Sequence, residues 1–324
     1  MVNWRASDMA DADWDKALAA MPGANAFQTS AWAHHKADSG WRPVRALTDG
    51  AAAQALVKDL PGGLRLLWSR GGPVGEPSLW NADLRATLTA SAGGLAAYGR
   101  ICSYHESDEA STGALQASGW NRPATPLDRN MTYLLELTPE PDALLAGLST
   151  NWRHNLKRGM ARAAASAWSE PDPAEMEKVY KAMESLKGLP PQHRASELGS
   201  MVRALGGAFI LRRAVVDGRT VALRACAVFG ASAVDLLAAA TEEARKVYAS
   251  YACLWSLVLE SRRLGAKTYD LGGADPAAAP GVADFKKGLG ARLVTTLGEW
   301  DFASPAVLRR PAGALIALKL GKGE

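Results

Sequence analysis

Two Asp-Gly dipeptides, Asp49-Gly50 and Asp217-Gly218, each stand between two apolar runs, and this pairing constrains the fold more than anything else in the chain. Asp-Gly supplies the positive φ that a two-residue hairpin turn requires. The first turn joins Arg42 to Thr48 with Ala51 to Leu60, and the second joins Phe209 to Val216 with Thr220 to Phe229. The two hairpins lead into similar successions of elements. After the first come a strand at Leu64 to Ser69, a helix at Asn81 to Gly99 and a strand at Arg100 to Ser103. A helix at Ala110 to Ser118 and a strand at Met131 to Leu137 close that half. After the second come a strand at Val234 to Ala240, a helix at Tyr251 to Leu264 ended by Gly265, and a strand at Ala266 to Leu271. A last strand runs near Leu293 to Phe302. The order hairpin, strand, helix, strand thus occurs twice, which predicts α/β or α+β layers built from two copies of one domain.

The 324 residues, 48% hydrophobic and 22% charged, give each half enough apolar side chain for its own core. A net charge of +4 admits an anionic partner but is far from a histone-like excess. Cys102, Cys226 and Cys253 are widely spaced in apolar surroundings, so buried reduced thiols are expected. His34 and His35 are neighbours with no third ligand near, and no metal site or Ser/His/Asp arrangement is expected. The start is acidic without an apolar signal region, and no apolar run reaches the ~18 residues that span a bilayer. A cytoplasmic chain without integral membrane association is the expectation.

Three stretches carry candidate chemistry. Ser30 is expected to cap a short helix ended by Gly40, with Trp32 and Lys36 on one face. Between the halves lies L-S-T-N-W-R-H-N-L-K-R-G, a helix capped by Ser149 or Thr150. Arg153 and Lys157 are four apart there, as are Arg158 and Arg162. It reads either as a solvated linker helix or as a phosphate-contacting helix with salt-sensitive binding. Third, the run from Tyr269 to Gly273 ends in glycines and leads through a loop to Phe285, Lys286 and Lys287. A strand that stops at a glycine loop, followed by a short cationic turn, is where α/β folds place ligands. The plainer reading is a solvated lysine pair.

Taken together, F-Q-T-S-A-W-A-H-H-K with W-S-R-G-G-P-V-G, N-W-R-H-N-L-K-R-G, and Y-D-L-G-G…D-F-K-K-G-L-G…G-E-W-D-F resemble the Fem family of aminoacyl-tRNA-dependent peptidyltransferases. The match runs in order from about Phe27 to Phe302. The resemblance implies a tandem duplication of acetyltransferase-like (GNAT-type) domains, the compact type without a helical arm. The first domain would be 1–146, completed by about 303–324, and the second 147–302. It also implies transfer of a small amino acid, alanine first, from its tRNA to an amino group of an acceptor peptide. That acceptor is either a UDP-linked cell-wall precursor or the N-terminus of a peptidyl-nucleoside antibiotic core. The co-substrate is aminoacyl-tRNA, no cofactor is required, and a monomer is expected.

In the family a lysine follows a phenylalanine at the motif matching Phe285-Lys286, so Lys286 is assigned the oxyanion or tRNA-terminus contact and Lys287 a phosphate or solvent contact. Lys36, beside Trp32, matches a lysine that grips phosphate of a nucleotide-linked acceptor, and Arg194 in P-P-Q-H-R-A-S is the candidate for its arginine partner. Arg153, Lys157 and Arg158 are assigned to tRNA. From the residues themselves, Tyr248 and Tyr251 either line the acceptor channel or pack. Asp270 either meets the incoming amine or caps its loop. Two rivals stand beside this reading. One is an acyl-CoA-dependent N-acyltransferase. Its pyrophosphate loop would here be A-R-K-V-Y-A-S-Y-A, with Tyr248 where the first glycine belongs. The proline of R-G-G-P-V-G likewise spoils the corresponding loop in the first half. The other is a non-catalytic RNA- or membrane-surface-binding protein, whose basic tail L-R-R-P-A-G-A-L-I-A-L-K-L-G-K would lie on anionic lipid.

Overall fold

Both Asp-Gly turns form their hairpins. Thr48 faces Ala51 across the first and Val216 faces Arg219 across the second. In the second turn Asp217 and Gly218 both take positive φ, as a primed hairpin turn demands. The computed structural model describes residues 3–128 and 130–320, and the chain divides into two compact units. One is Met1–Met131 with Val294–Glu324, the other Thr132–Leu293. Strand Met131–Glu136 pairs with Thr268–Gly273, and strand Arg292–Ser304 pairs with Ala96–Glu106. The chain therefore changes unit at 131/132 and 293/294, where the motifs imply 146/147 and 302/303.

In the first unit the strands run in the order Arg5–Ala6, Arg42–Thr48, Ala51–Leu60, Leu64–Arg70, Ala96–Glu106 and Arg292–Ser304. All neighbours are antiparallel except Leu64–Arg70 and Ala96–Glu106, which are parallel and joined through helix Ala82–Ala92. The expected helix to Gly99 stops early because Gly93 and Gly94 both take positive φ, and the strand begins at Ala96. The N-terminal helix of the Trp32 motif is Ser30–Ala37, and its cap is Thr29, not Ser30: the Thr29 hydroxyl accepts the Trp32 N–H at 3.2 Å. Trp80, Trp120, Trp300, Leu84 and Leu88 fill the core.

The second unit repeats the plan. Its strand order is Met131–Glu136, Thr268–Gly273, Ser232–Ala240, Arg219–Phe229, Phe209–Val216 and Ala165–Ala167. The parallel step is again a strand, a crossover helix and a strand: Ser232–Ala240, Ala249–Arg263, Thr268–Gly273. Helices Pro173–Lys187 and Ala195–Leu205 are not among the elements expected from sequence. The first buries Met176, Val179, Tyr180 and Met183, spaced three, one and three apart, on one face. All three cysteines are free and buried. Among the described residues no helix is long and apolar enough to cross a membrane, and no group of His, Cys, Asp and Glu could hold a metal.

One ion pair lies deep in the first unit. Arg100 meets Glu299 at 3.0 Å, with side chains 0% and 2% exposed. The Glu299 carboxylate also accepts the N–H groups of Leu127 and Asp128, both at 2.9 Å, and Tyr98 Oη accepts from Arg100 at 2.8 Å. Removing one member of such a pair leaves the other charge stranded away from water. Glu299→Ala is therefore expected to lower stability by about 3–5 kcal/mol in denaturant melts. A loss under about 1 kcal/mol would show that Arg100 finds other compensation.

Candidate functional site

The second unit presents a site where strand Thr268–Gly273 ends. Gly272 takes φ 77, and the chain leaves the sheet for a short loop. Phe285, Lys286 and Lys287 then lie on a helix, Pro280–Gly288, not in the short turn expected. Pro280 starts it, since its fixed φ suits the first helical position and it forfeits no hydrogen bond there. Helical spacing then separates the three side chains: Lys286 is buried, Phe285 half-buried and Lys287 exposed.

Lys286 reaches back to the strand that its helix left. Its ammonium donates to the carbonyls of Gly272 and Gly273, both at 2.9 Å. An ammonium has three N–H donors, so one remains. Burial pushes its pKa below the ordinary lysine value; Asp235 and Asp270 oppose that shift and Arg224 adds to it. Asp270 accepts the Gly272 N–H at 2.8 Å and the Thr132 hydroxyl. Burial raises its pKa against those hydrogen bonds and Lys286. Asp270 thus caps its loop.

Lys286 and Phe285 line a cavity of about 560 Å³ with Leu271, Tyr248 and Tyr251. Much of the remaining lining is alanine, including Ala222, Ala238, Ala239, Ala240 and Ala244. Arg224 also lines it and pairs with Asp235 at 2.7 Å, while the Tyr269 hydroxyl donates to the same carboxylate at 3.0 Å. Burial alone would lower the Arg224 pKa, and Asp235 outweighs it, so the guanidinium is held charged 5.6 Å from the centre of the Phe285 ring. Lys187 and Arg245 add two further cations to the lining. Burial, then Arg245, lowers the Lys187 pKa.

The basic helix, Thr150–Arg162, carries the expected Ser149 cap. It turns Trp152, Asn155, Leu156 and Gly159 inward and leaves Arg153, Lys157 and Arg158 exposed. The Trp152 indole donates to the Phe285 carbonyl at 3.0 Å. Its ring meets Tyr251 at 5.0 Å, and Tyr251 meets Phe285 at 4.9 Å, both edge to face. Arg158 donates to the Tyr248 hydroxyl at 3.2 Å. Tyr248 has φ 60 and stands at the N-cap of Ala249–Arg263, a left-handed conformation that glycine adopts without strain.

In the first unit Trp32 is buried, and the Lys36 ammonium sits 5.0 Å from the centre of its ring. Arg194 is exposed at the N-cap of Ala195–Leu205 and is not among the lining of the cavity; neither are Arg153, Lys157, Arg158, Lys287 or Asp270. Four charged lining residues, Arg224, Asp235, Lys187 and Arg245, are not among the candidate residues read from the sequence. Arg224 and Asp235 do leave a trace, each being a lone charge inside an apolar strand run, which asks for a buried partner. Lys187 and Arg245 give no signal, because a surface cation near a helix end is ordinary.

Residues 150–287 match the Acetyltransferase (GNAT) domain family. With the repeated strand–helix–strand crossover, this defines a GNAT-type fold. Over its whole length the fold is similar to that of FemX, at 17% identity with a TM-score of 0.81, covering 96% of this chain and 99% of that one. It is also similar to a tandem GNAT protein from the clavulanic acid biosynthesis pathway, at 12% identity and a TM-score of 0.55 over 94% of this chain and 98% of that one. A third likeness is to the C-terminal domain of a putative lysylphosphatidylglycerol synthetase from Agrobacterium fabrum, at 15% identity and a TM-score of 0.50 over 77% and 80%. No curated protein matches by sequence. The tandem GNAT architecture implied by the motifs is thus the architecture of the chain.

The close approach of Gly159 to the Tyr248 turn yields a stability test. A Cβ at Gly159 would lie 2.6 Å from the Tyr248 carbonyl oxygen. Gly159→Ala is expected to cost about 1–3 kcal/mol in thermal melts, because backbone must shift. Gly113→Ala, where a Cβ meets nothing in helix Glu109–Ala117, should be neutral or stabilise by up to about 1 kcal/mol. Equal effects at both sites would refute the crowding.

Proposed function

We propose that the chain transfers an aminoacyl group, alanine first, from its tRNA ester to an amino group of an acceptor peptide, with Lys286 at the reaction centre. The observation that carries this is the buried ammonium of Lys286. It is fixed by two carbonyls, lines the cavity, and has one N–H donor left. In the reaction the acceptor amine attacks the ester carbonyl. The carbonyl oxygen becomes an oxyanion, which Lys286 stabilises as a preorganised point charge. Collapse breaks the bond to the terminal ribose oxygen, and the proton lost by the amine ends on that oxygen. The ester is already activated, so holding amine and ester at attack distance supplies much of the acceleration. No cofactor enters this scheme.

Lys187 and Arg245 at the cavity, with exposed Arg153, Lys157, Arg158 and Lys287, supply cationic contacts for the phosphates of the tRNA end. Lys36 on Trp32, and Arg194, are the proposed contacts for phosphates of a nucleotide-linked acceptor, a UDP-linked cell-wall precursor or a peptidyl nucleoside. The proposed setting is cytoplasmic and the proposed state a monomer. The alternative is acyl-CoA-dependent N-acylation, which the GNAT match favours. Against it stands Tyr248: its side chain occupies the turn where backbone N–H groups would have to approach a pyrophosphate.

The test is transfer from radiolabelled alanyl-tRNA to candidate acceptors, with and without RNase pretreatment. RNase should abolish transfer; a requirement for acetyl-CoA instead would overturn the reading. Lys286→Met should reduce kcat by about 10²–10³ while acceptor binding persists. The charged form of Lys286 is the active one, and its pKa is depressed. Once the acceptor amine is neutral, the rate should therefore fall as pH rises further, with an alkaline limb below the ordinary lysine value of 10.5. Lys286→Arg should move that limb upward. A pH-independent rate up to 10.5 would remove Lys286 from the oxyanion role.

A further inference from the structure

The C-terminal helix Arg309–Leu320 carries apolar side chains on its outer face as well as on its inner one. Arg309, Ala312, Gly313 and Ile316 face inward, and Arg309 ties the helix down through Asp301 and the Arg122 carbonyl. The opposite face carries Pro311, Ala314, Leu315 and Leu318, spaced three, one and three apart, all exposed. Leu315 is 63% and Leu318 62% exposed, and Val307, in the preceding turn, is 75% exposed. An apolar stripe of this kind on a helix is unexplained by folding of the chain itself.

Charge decides among possible occupants. Between Asp301 and Glu324 the sequence holds Arg309, Arg310, Lys319 and Lys322 and no carboxylate. Arg309 is already offset by Asp301, but two copies meeting through this helix would still bring Arg310, Lys319 and Lys322 toward their like-charged counterparts. A surface that is apolar below and anionic above satisfies both the stripe and the cationic segment, which is the profile of an interfacial helix. We infer that helix Arg309–Leu320 docks the protein on an anionic lipid surface, with Leu315 and Leu318 entering the headgroup boundary and the cations of this segment drawn to lipid phosphate. This is peripheral attachment, and it stands independently of the transfer reaction.

The experiment is vesicle flotation of the full chain. Vesicles of mixed phosphatidylglycerol and phosphatidylcholine should carry the protein up at low salt, and pure phosphatidylcholine at least about tenfold less. High salt should release much of it. Leu315→Glu/Leu318→Glu should lower binding to the anionic vesicles by about tenfold or more with an unchanged melting temperature, since both side chains are exposed. In a Leu315→Trp variant, anionic vesicles should shift tryptophan emission to the blue. Absent flotation, equal flotation of the double variant, or no emission shift would overturn the inference. So would a concentration-dependent dimer that the double variant abolishes, because that would assign the face to a second copy.

Discussion

The second unit depends on one ammonium and two carbonyls. Lys286 closes helix Pro280–Gly288 back onto the end of strand Thr268–Gly273, the strand that feeds it. A buried cation is tolerable only where its hydrogen bonds are met. Here the carbonyls of Gly272 and Gly273 meet two, and the carboxylates of Asp235 and Asp270 favour the charge. Because the helix is pinned this way, Phe285 is set among Trp152 and Tyr251, and the Trp152 indole holds its carbonyl. The side chain assigned to the chemistry is also the one that organises its surroundings.

The two units use one plan for different ends. Each buries an arginine against a carboxylate. In the first, Arg100 and Glu299 are sealed from solvent and saturated by backbone and Tyr98. In the second, Arg224 and Asp235 line a cavity together with Lys286. Sealed, such a pair adds specificity more than stability. Facing a cavity, it sets the local field into which a ligand's charge must fit. The parallel crossover recurs as well, but the helix start that an anion-binding version of this architecture would leave open is here occupied by the strained turn at Tyr248, with Gly159 tight against its carbonyl.

Hairpins and strands are the most legible parts of the sequence. Arg42–Thr48, Ala51–Leu60 and Phe209–Val216 form at the expected bounds, since Asp-Gly turns and apolar strand runs are local signals. The helix from Asn81 is shorter than its composition suggests, because Gly93 and Gly94 act as two left-handed residues that end it. The lysine segment has the look of a turn, with glycines and prolines on both sides, yet Pro280 opens a helix as readily as it ends one. Of the site, Phe285, Lys286, Tyr248 and Tyr251 are legible in the sequence and do line one cavity. Arg224 and Asp235 show in the sequence only as lone charges in apolar runs; their pairing depends on a cross-strand register that only the folded sheet defines. Arg194 lies elsewhere on the second unit, at an exposed helix start, where no local pattern distinguishes a ligand contact from a solvated cation.

The way the chain is divided also orders its assembly. The second unit is one continuous segment, Thr132–Leu293, whereas the first is split around it. Strand Arg292–Ser304 must find Ala96–Glu106, with Gly298 opposite Ser103, across the whole of the intervening unit. Pairings of such sequence separation form late, because loop closure must precede any gain from contact. During synthesis the second unit can close as soon as it emerges, while the first waits, one sheet position empty, for the last strand to be made. The second unit is thus the earlier of the two to mature, and the first sheet is completed only when strand Arg292–Ser304 arrives.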